Sequence, residues 1–361
     1  MRDQRARGKP PGVLRWAVVP DTPRTLTADR GDAGRRLDLV LRRHLTDVHA
    51  ASRTRVQAWI EGGLVAVNGT PVRRVAARVA LGAVVSVRLP GGVSAPSMAA
   101  DDAAIDVLHE DDHLLVVNKL AGVVVHPTYK HVQGTLMNAL LGYARHWAPG
   151  ERPSLLGRLD KLTSGLVVVA KSAAAHTALQ RTLASGESDK DYLALVYGRV
   201  NVARGRIDLP LGRDVGDRRR VVVADTGSPS VTLFERIGRV PAPRVGLSLL
   251  RCRLVTGRTH QIRVHLAARG WPIVGDPVYG SPREPRVDAR ELAAALAGFP
   301  RQALHAWRVG FVHPWSRQHL VVEAPVPADM AALLEASGLA AGLTAARTRP
   351  TVSAPVRRRG A

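Results

Sequence analysis

The sequence predicts an α+β protein with two domains: a small α/β domain near the N-terminus and a larger domain on a mixed, largely antiparallel β-sheet. The chain has 361 residues, of which 45% are hydrophobic, so it is long enough to bury two cores. Between residues 104 and 337, short valine- and leucine-rich runs outnumber helical patterns and often follow one another directly. No glycine-rich loop of the dinucleotide-binding or P-loop kind interrupts them.

The predicted N-terminal domain spans residues 34–90. It follows a basic arm, residues 1–33, that has little periodicity and one candidate short strand near Trp16–Val19. A first helix is indicated by hydrophobic residues at helical spacing, which are Leu37, Val40, Leu41 and Leu45. A second helix begins after Ser52, which is a good N-cap, and ends at Gly62-Gly63.

A hairpin and a last strand complete this domain. Val65–Val67 runs into Asn68-Gly69, a pair typical of two-residue hairpin turns, and Val84–Val87 is predicted to form a further strand. The predicted helices and their flanks also carry basic side chains, among them Arg35, Arg36, Arg53 and Arg55.

A linker, residues 91–103, leads to the larger domain at residues 104–337, and a basic tail at residues 338–361 is expected to be disordered. The predicted strands are Leu114–Val117, Leu166–Ala170, Tyr192–Tyr197, Val221–Val223 and Leu247–Leu254. The predicted helices are Ala173–Leu183, Thr259–Ala268 with Thr259 as its cap, and a segment opened by Asp288 and Glu291.

The charge of the chain points to a polyanionic partner. The formal net charge is +22 and the sequence pI is about 11.4, which favours nucleic acid or an acidic membrane surface. Cys252 is the sole cysteine, so a disulfide within the chain is excluded and a reducing cytosol is the expected compartment. The sequence has neither an apolar run near 18 residues nor the apolar core of a signal peptide. We therefore expect a cytoplasmic protein without a membrane span, and by default a monomer.

One candidate site lies in the turn at residues 157–165, immediately before a predicted buried strand. It places Asp160 between Arg158 and Lys161, and neighbouring cations favour the ionised carboxylate that a nucleophile requires. Taken alone, the pattern is also typical of an aspartate that only forms a turn. The local sequence therefore leaves both interpretations open.

A second candidate site is the predicted helix that follows Gly257. His260 and Arg263 share one face of it and could meet a ligand together, whereas Ile262 and Leu266 can pack inward. Metal binding is disfavoured because His260 and His265 are five residues apart, which does not put them on one helix face, and because Arg263 repels a cation. The alternative is an ordinary surface helix with a basic stripe.

Taken together, the two segments closely resemble RluA-type pseudouridine synthases. The family hallmarks "RLDxxTSGL" and "TGRTHQIRxHL" are matched at residues 158–166 and 256–266. Further similar blocks occur in the family's order: "VVNKLAGVVVHP" (116–127), "KDYLALVYG" (190–198), "GWPIVGDPVYG" (270–280) and "RQALHAWRVGFVHP" (301–314). Residues 34–90 resemble an S-four-type RNA-binding module, on the pieces "RRLDLVLRRHL", "SRTRVQAWIEGGLVAVNG" and "LGAVVSVRL".

The resemblance implies an enzyme that isomerises uridine in RNA and needs neither metal nor cofactor. It assigns Asp160 as the essential carboxylate, Tyr192 as the aromatic that packs on the extruded uracil, and Arg263 as the partner of the carboxylate. Asp160 either attacks the sugar or removes a proton from it, and the sequence leaves this choice open. The alternatives are strand packing for Tyr192 and a phosphate contact for Arg263.

The resemblance also implies residues that contact RNA or substrate. In the larger domain these are Lys119, Arg158, Lys161, Thr163, Lys190, Arg258, His260, Gln261, Ile262 and Leu266, with Ile262 and Leu266 as pocket walls. In the N-terminal module they are Arg35, Arg36, Arg53 and Arg55. The implied partner is large-subunit ribosomal RNA or its assembling particle.

Two residues depart from the family pattern. Gly157 stands where a histidine is usual, and Leu120 stands where a proline is usual; we expect neither to abolish activity. A non-catalytic RNA-binding or ribosome-assembly protein of the same fold is the competing hypothesis, but it predicts loss of the carboxylate. A metal-dependent nuclease is disfavoured because the sequence offers no acidic cluster for two magnesium ions.

Overall fold

The chain folds into two compact units, residues 1–99 and residues 100–361. A computed structural model describes residues 23–45, 48, 51–89, 99–128, 131–185, 188–217, 219–241, 246–280 and 290–348. The strand predicted near Trp16–Val19 and the predicted helix start at Asp288 lie outside the described residues. No helix of the described part is long and apolar enough to cross a lipid bilayer.

The first unit is a four-stranded antiparallel sheet with two helices. Its strands lie in the order β1–β4–β2–β3. Their bounds are β1 Arg24–Thr27, β2 Val65–Val67, β3 Thr70–Pro71 and β4 Val84–Val87, and the helices are α1 Leu37–His44 and α2 Arg53–Glu61. Val40, Ile60 and Val85 are fully buried in its core. The predicted α/β character of this region is therefore confirmed.

Local sequence signals explain how these elements begin and end. The Ser52 side chain accepts a hydrogen bond from the Arg55 N–H and so caps α2, as predicted. Asn68 and Gly69 have φ values of 50° and 79°, which is the backbone of the predicted hairpin turn between β2 and β3.

The prediction of a basic arm without regular structure over residues 1–33 is wrong at its C-terminal end. Residues 24–27 form β1, which pairs antiparallel with β4. Leu26 packs against the core of the first unit, while its neighbours are more exposed. Four residues are too few for the alternation to stand out in a sequence, because the strand is stabilised by its neighbour in the sheet.

The second unit is built on a ten-stranded sheet. Eight strands follow the order β10–β13–β14–β9–β15–β8–β6–β5, while β16 pairs with β15 and β7 with β8; β11 and β12 form a separate hairpin. The strands are β5 Asp106–Glu110, β6 Leu114–Lys119, β7 Ser154–Leu155, β8 Ser164–Ala170, β9 Asp189–Tyr197, β10 Arg204–Asp208, β11 Leu211–Arg213, β12 Val221–Val223, β13 Val231–Val240, β14 Leu247–Leu254, β15 Leu304–Val312 and β16 His319–Glu323. The helices are α3 Leu136–Tyr143, α4 Ala173–Ala184, α5 Gln261–Ala268, α6 Arg290–Ala297, α7 Ala328–Ala336 and α8 Ala340–Thr348.

The sheet is mixed and largely antiparallel, as predicted. Among the described strands, β15 and β8 form the one parallel pair, in which His305 lies opposite Ser164. Every residue of β8 is buried, because the sheet is covered on both faces at this strand. Gly165 is required here: a side chain at this position would collide with the backbone of Ala306.

The prediction that residues 338–361 form a disordered tail is wrong for residues 338–348. Residues 340–348 form α8, which lies against β13, and Leu339 in front of it is 3% exposed. An alanine-rich segment gives little periodic signal, so its helix is stabilised mainly by packing of Leu339 and Leu343 on the core.

His305 is expected to make the protein sensitive to acid. It is fully buried, its Nδ1 lies 3.0 Å from the Ser164 hydroxyl, and burial lowers its pKa to about 4. Its pKa in the unfolded chain is about 6.5. At pH values between the two pKa values, His305 is therefore protonated in the unfolded state but neutral in the folded state. Lowering the pH from 7.5 to 5 should reduce the free energy of unfolding by about 2 kcal/mol through this group.

Urea unfolding of the wild type and His305→Asn at both pH values checks this expectation. The variant amide can still bond to Ser164 but does not titrate. It should therefore lose about 2 kcal/mol of the wild type's pH dependence. An identical pH dependence in both proteins would contradict the assignment.

Candidate active site

The loop between β7 and β8 carries Asp160. The neighbouring Leu159 is buried in the core and Thr163 N–H donates to the Asp160 carbonyl, so the loop is anchored on both sides of the carboxylate. The Asp160 side chain itself keeps 17% of its surface exposed. The loop therefore presents one carboxylate at the rim of the sheet, in front of a fully buried strand.

Arg263 reaches this carboxylate from the first turns of α5. Its Nη1 donates to Asp160 Oδ2 at 2.8 Å, while Nε and Nη2 donate to the two oxygens of Asp276 at 2.7 and 2.8 Å. Burial opposes the charge on Arg263, but the two carboxylates outweigh it and raise the pKa of the guanidinium. The guanidinium is therefore fixed in place by Asp276, with one N–H group directed at Asp160.

Asp276 stays ionised although it is buried. Burial raises its pKa, but hydrogen bonds and charge from Arg263 and the backbone N–H groups of Tyr279 and Val278 lower it by more, so the pKa lies below its usual value.

Tyr192 lies on β9 and lines the same cleft as Asp160. Burial raises the pKa of its phenol, and the negative charge of Asp160 adds to that effect, so the hydroxyl is neutral at pH 7. The cleft has a volume of about 420 Å³, which is within the range of small-molecule binding pockets. Arg158, Lys190 and Arg258 also line it.

His260 stands next to Asp160 in an unusual backbone conformation. It has φ 55° and ψ 16°, in the left-handed region that costs a residue with a side chain roughly 1–2 kcal/mol. Its Nδ1 lies 2.9 Å from the Tyr279 hydroxyl, and its Nε2 lies 3.8 Å from Asp160 Oδ1. The predicted cap, Thr259, is wrong: α5 begins after His260, and no side chain caps it.

The chain is similar to proteins of one family over most of its length. Residues 113–268 match the family model described as RNA pseudouridylate synthase, and residues 35–85 match the S4 domain. Ribosomal large subunit pseudouridine synthase D of Xanthomonas campestris is 42% identical over 325 residues, covering 90% of this chain and 92% of that protein. This chain belongs to the RNA pseudouridylate synthase family. It is a pseudouridine synthase of the RluA type, as the motifs indicated.

Other relatives and a solved structure agree with this membership. A second ribosomal large subunit pseudouridine synthase D, from Nitrosomonas europaea, is 41% identical over 86% of this chain and 87% of its own. A Bacillus subtilis protein described as uncharacterized RNA pseudouridine synthase YlyB is 39% identical over 79% of this chain and 89% of its own. The solved structure of human RNA pseudouridylate synthase domain containing 1 has a TM-score of 0.50 at 25% identity and covers 70% of this chain and 98% of that one.

Three residues predicted to contact RNA are instead buried in the pseudouridine synthase unit. Lys119 is 2% exposed, and its Nζ donates to the carbonyls of Leu120, Val123 and Lys161 at 2.8, 2.9 and 3.1 Å. Burial lowers the pKa of Lys119 to about 7, yet three carbonyl acceptors match the three N–H bonds of the ammonium form. We therefore take Lys119 as a charged group that holds the Asp160 loop from behind.

Thr163 and Gln261 also serve the fold of the pseudouridine synthase. The buried Thr163 hydroxyl accepts from the Gln302 amide, which ties the end of the Asp160 loop to the segment before β15. The Gln261 amide donates to the Val231 carbonyl, and its oxygen accepts from Thr256, so it braces the start of α5. The motif pattern predicted ligand contacts for these polar residues, whereas they fix the backbone that carries the motif.

Ile262 and Leu266 lie deeper than predicted. They are 4% and 0% exposed, belong to the main core, and do not line the cleft around Asp160. Helix α5 therefore presents Arg263 to Asp160 while these two side chains pack into the core. Lys161 remains exposed in the Asp160 loop.

The four arginines of the S-four-type unit that were predicted to contact RNA differ in exposure and in ion pairing. Arg53 and Arg55 are exposed on α2, and Arg35 is half-buried. Arg36 makes a two-pronged ion pair with the buried Asp38, through Nε at 2.9 Å and Nη2 at 3.1 Å. An arginine already held in this way is a weaker candidate for a phosphate contact.

Two site residues were missed by sequence reasoning, Asp276 and Tyr279. Both stand in the block "GWPIVGDPVYG" (270–280), which supported the family resemblance without giving any residue a role. The available signal was an aspartate between a glycine and a proline in an otherwise apolar block, directly after the helix that carries Arg263.

The two departures from the family pattern leave the site undisturbed. Gly157 is exposed, has an ordinary φ, and has open space where a side chain would project. Leu120 is 65% exposed, and its carbonyl still accepts from Lys119. That neither departure abolishes activity stays a prediction.

Proposed function

We propose that this pseudouridine synthase isomerises uridines in large-subunit ribosomal RNA. Relatives named ribosomal large subunit pseudouridine synthase D, at 42% and 41% identity over most of both chains, carry this proposal. The net charge of +22 and the S4 domain fit a large, structured RNA. The enzyme would act as a monomer in the cytoplasm, where ribosomal RNA is made and assembled in bacteria.

Asp160 would be the group that acts on the sugar of the target nucleotide. One of its oxygens is engaged by Arg263, and part of the carboxylate faces the cleft. The hydrogen bond from Arg263 orients the carboxylate for either attack on the sugar or removal of one of its protons. The uracil then leaves, turns and is reattached through carbon, so no redox change and no net hydrolysis occur.

Tyr192 would hold the base during this rotation. A nucleotide must leave its stack before a side chain in a cleft can reach its sugar, and an aromatic ring offers a sequence-tolerant surface for the freed base. Tyr192 presents such a ring beside Asp160. Arg158, Lys190 and Arg258 at the cleft would bind the neighbouring phosphates.

Mapping pseudouridines in ribosomal RNA tests the function. Cells that lack the protein should lose pseudouridine at one or more positions of the large-subunit RNA, and re-expression of the wild type should restore them. The purified protein should also modify a fragment of that RNA that contains one of these positions. Unchanged maps, together with an unmodified fragment, would contradict the proposal and favour a non-catalytic RNA-binding role.

Arg53 and Arg55 are expected to add a salt-dependent part of the RNA affinity. Without these two cations, the slope of log affinity against log salt should fall by about 2, because RNA binding then releases fewer counterions. Binding of the ribosomal RNA fragment by Arg53→Ala/Arg55→Ala, measured between 50 and 200 mM salt (roughly the range that resolves such slopes), checks this. The matched control is Arg204→Ala, whose exposed arginine pairs with Glu235 in the other unit. Equal slopes for both variants would exclude the role.

A further inference from the structure

The side chain of His260 is fixed by a hydrogen-bond relay. The Tyr279 oxygen accepts from the Val221 N–H at 2.9 Å, so its own proton is available for His260 Nδ1, also at 2.9 Å. Burial lowers the pKa of His260, and the imidazole is neutral at pH 7. With Nδ1 as an acceptor, the ring carries its single proton on Nε2. In this tautomer the Nε2–H group faces Asp160.

The separation of His260 and Asp160 is close to that of two groups bridged by one hydroxyl. Nε2 lies 3.8 Å from Asp160 Oδ1, which is too long for a direct hydrogen bond, while the other oxygen, Oδ2, is engaged by Arg263. A hydroxyl that makes two hydrogen bonds of about 2.8 Å separates its two partners by roughly 4.0–4.6 Å. A donor and an acceptor slightly closer than this need only a small rotation of either side chain to share one hydroxyl.

We propose that His260 Nε2 and Asp160 Oδ1 together bind the ribose 2′-hydroxyl of the target nucleotide. This inference rests on the proposed function. In an internal nucleotide of RNA the 3′ and 5′ oxygens are esterified, so the 2′-hydroxyl is the free hydroxyl that the sugar offers. The 2′-hydroxyl would donate to Asp160 Oδ1 and accept from the His260 N–H group.

The left-handed backbone of His260 supports a role that depends on the side chain. Glycine at this position would have no steric conflict, whereas histidine, although it adopts this conformation more readily than most residues, still pays for its side chain. A histidine held there by a relay to Tyr279 is therefore positioned at a conformational cost. The site makes His260 a specificity-determining residue that distinguishes ribose from deoxyribose.

The test compares two RNAs that differ in one atom. Each is the ribosomal RNA fragment with pseudouridine already at the mapped position, so that no turnover occurs, and carries either 2′-OH or 2′-H at that nucleotide. We expect the wild type to bind the 2′-OH fragment about 10- to 30-fold more tightly, because 2′-H leaves a buried donor and acceptor unpaired. His260→Gly should reduce this ratio to within about two-fold, and His260→Asn, whose side chain is too short, should do the same. His260→Gln, which can place an N–H group nearer to Asp160, should retain part of the ratio.

The ratio separates recognition from a structural role. A variant that merely loosens the site weakens both fragments equally and leaves the ratio as it is in the wild type; that result would overturn the proposal. So would a wild-type ratio near one. If the wild type forms no pseudouridine in the unmodified fragment, the proposed function itself has failed. If the wild type does form pseudouridine but substitution of His260 leaves the affinity ratio of the two fragments unchanged, only the proposed role of His260 fails.

Discussion

Asp160→Asn should abolish pseudouridine formation and leave the fold intact. Asparagine has nearly the same shape and still offers an oxygen to Arg263 Nη1, but it is neither a nucleophile nor a base at neutral pH. Loss of such a group costs at least about 10³-fold in rate when no neighbour can replace it. Single-turnover formation of pseudouridine in the ribosomal RNA fragment measures this loss.

The stability of this variant should change little. Arg263 keeps its two hydrogen bonds to Asp276, so its buried charge remains compensated. A matched control is Asp208→Asn, which changes an exposed aspartate paired with Arg206 on an edge strand and should keep full activity. Substantial activity in Asp160→Asn, with the protein shown to be free of wild type, would remove the carboxylate from the chemistry.

Among the substitutions considered for this site, Asp276→Ala should cause the largest loss in the free energy of unfolding. The substitution removes the two-pronged partner of Arg263, which is 4% exposed, and leaves the N–H groups of Val278 and Tyr279 without their acceptor. Breaking a buried ion pair by removing one partner costs about 3–5 kcal/mol, because the remaining charge stays in a poorly solvated place. Urea unfolding near pH 7 measures this cost. The rate should also fall, by at least about 10²-fold, since a displaced Arg263 no longer orients Asp160.

An exposed ion pair provides the contrast for this prediction. Asp102 pairs with Arg145 at 2.6 Å, but its side chain is 84% exposed. Water screens such a pair, so Asp102→Ala should leave the unfolding midpoint almost where it is in the wild type. A stability loss in Asp276→Ala no larger than that of Asp102→Ala would show that Asp276 does not anchor the guanidinium.

Elements with a strong local signal could be predicted from the sequence. The two helices of the first unit follow from hydrophobic spacing and from the Ser52 cap, and Val221–Val223 and Leu247–Leu254 have the predicted strand bounds. In contrast, β1 and α8 are stabilised by neighbours in space, and neither segment has a strong local pattern. The contact between Arg263 and Asp160 could be predicted because the motif resemblance relates residues that are far apart in the chain, and the structure contains this contact.

The errors in the site have one physical cause. Charged or polar residues near Asp160 were predicted to face RNA, yet Lys119 and Thr163 point into the protein. Their partners are far along the chain: Lys119 bonds to a carbonyl 42 residues away, and Thr163 to an amide 139 residues away. Burial of a polar group depends on whether such partners exist, and one sequence without its fold does not supply them.

The parallel pairing of β15 with β8 also bears on when the active site can form as the chain is synthesised. The Asp160 loop is followed by β8, whose first residues pair with His305 and Ala306, and Arg301 bonds to the Leu162 carbonyl 139 residues away. A growing chain must therefore emerge beyond these residues before the loop is held in shape. A nascent chain that ends before these residues has the carboxylate but lacks the strand that holds its loop, so we expect it to be inactive.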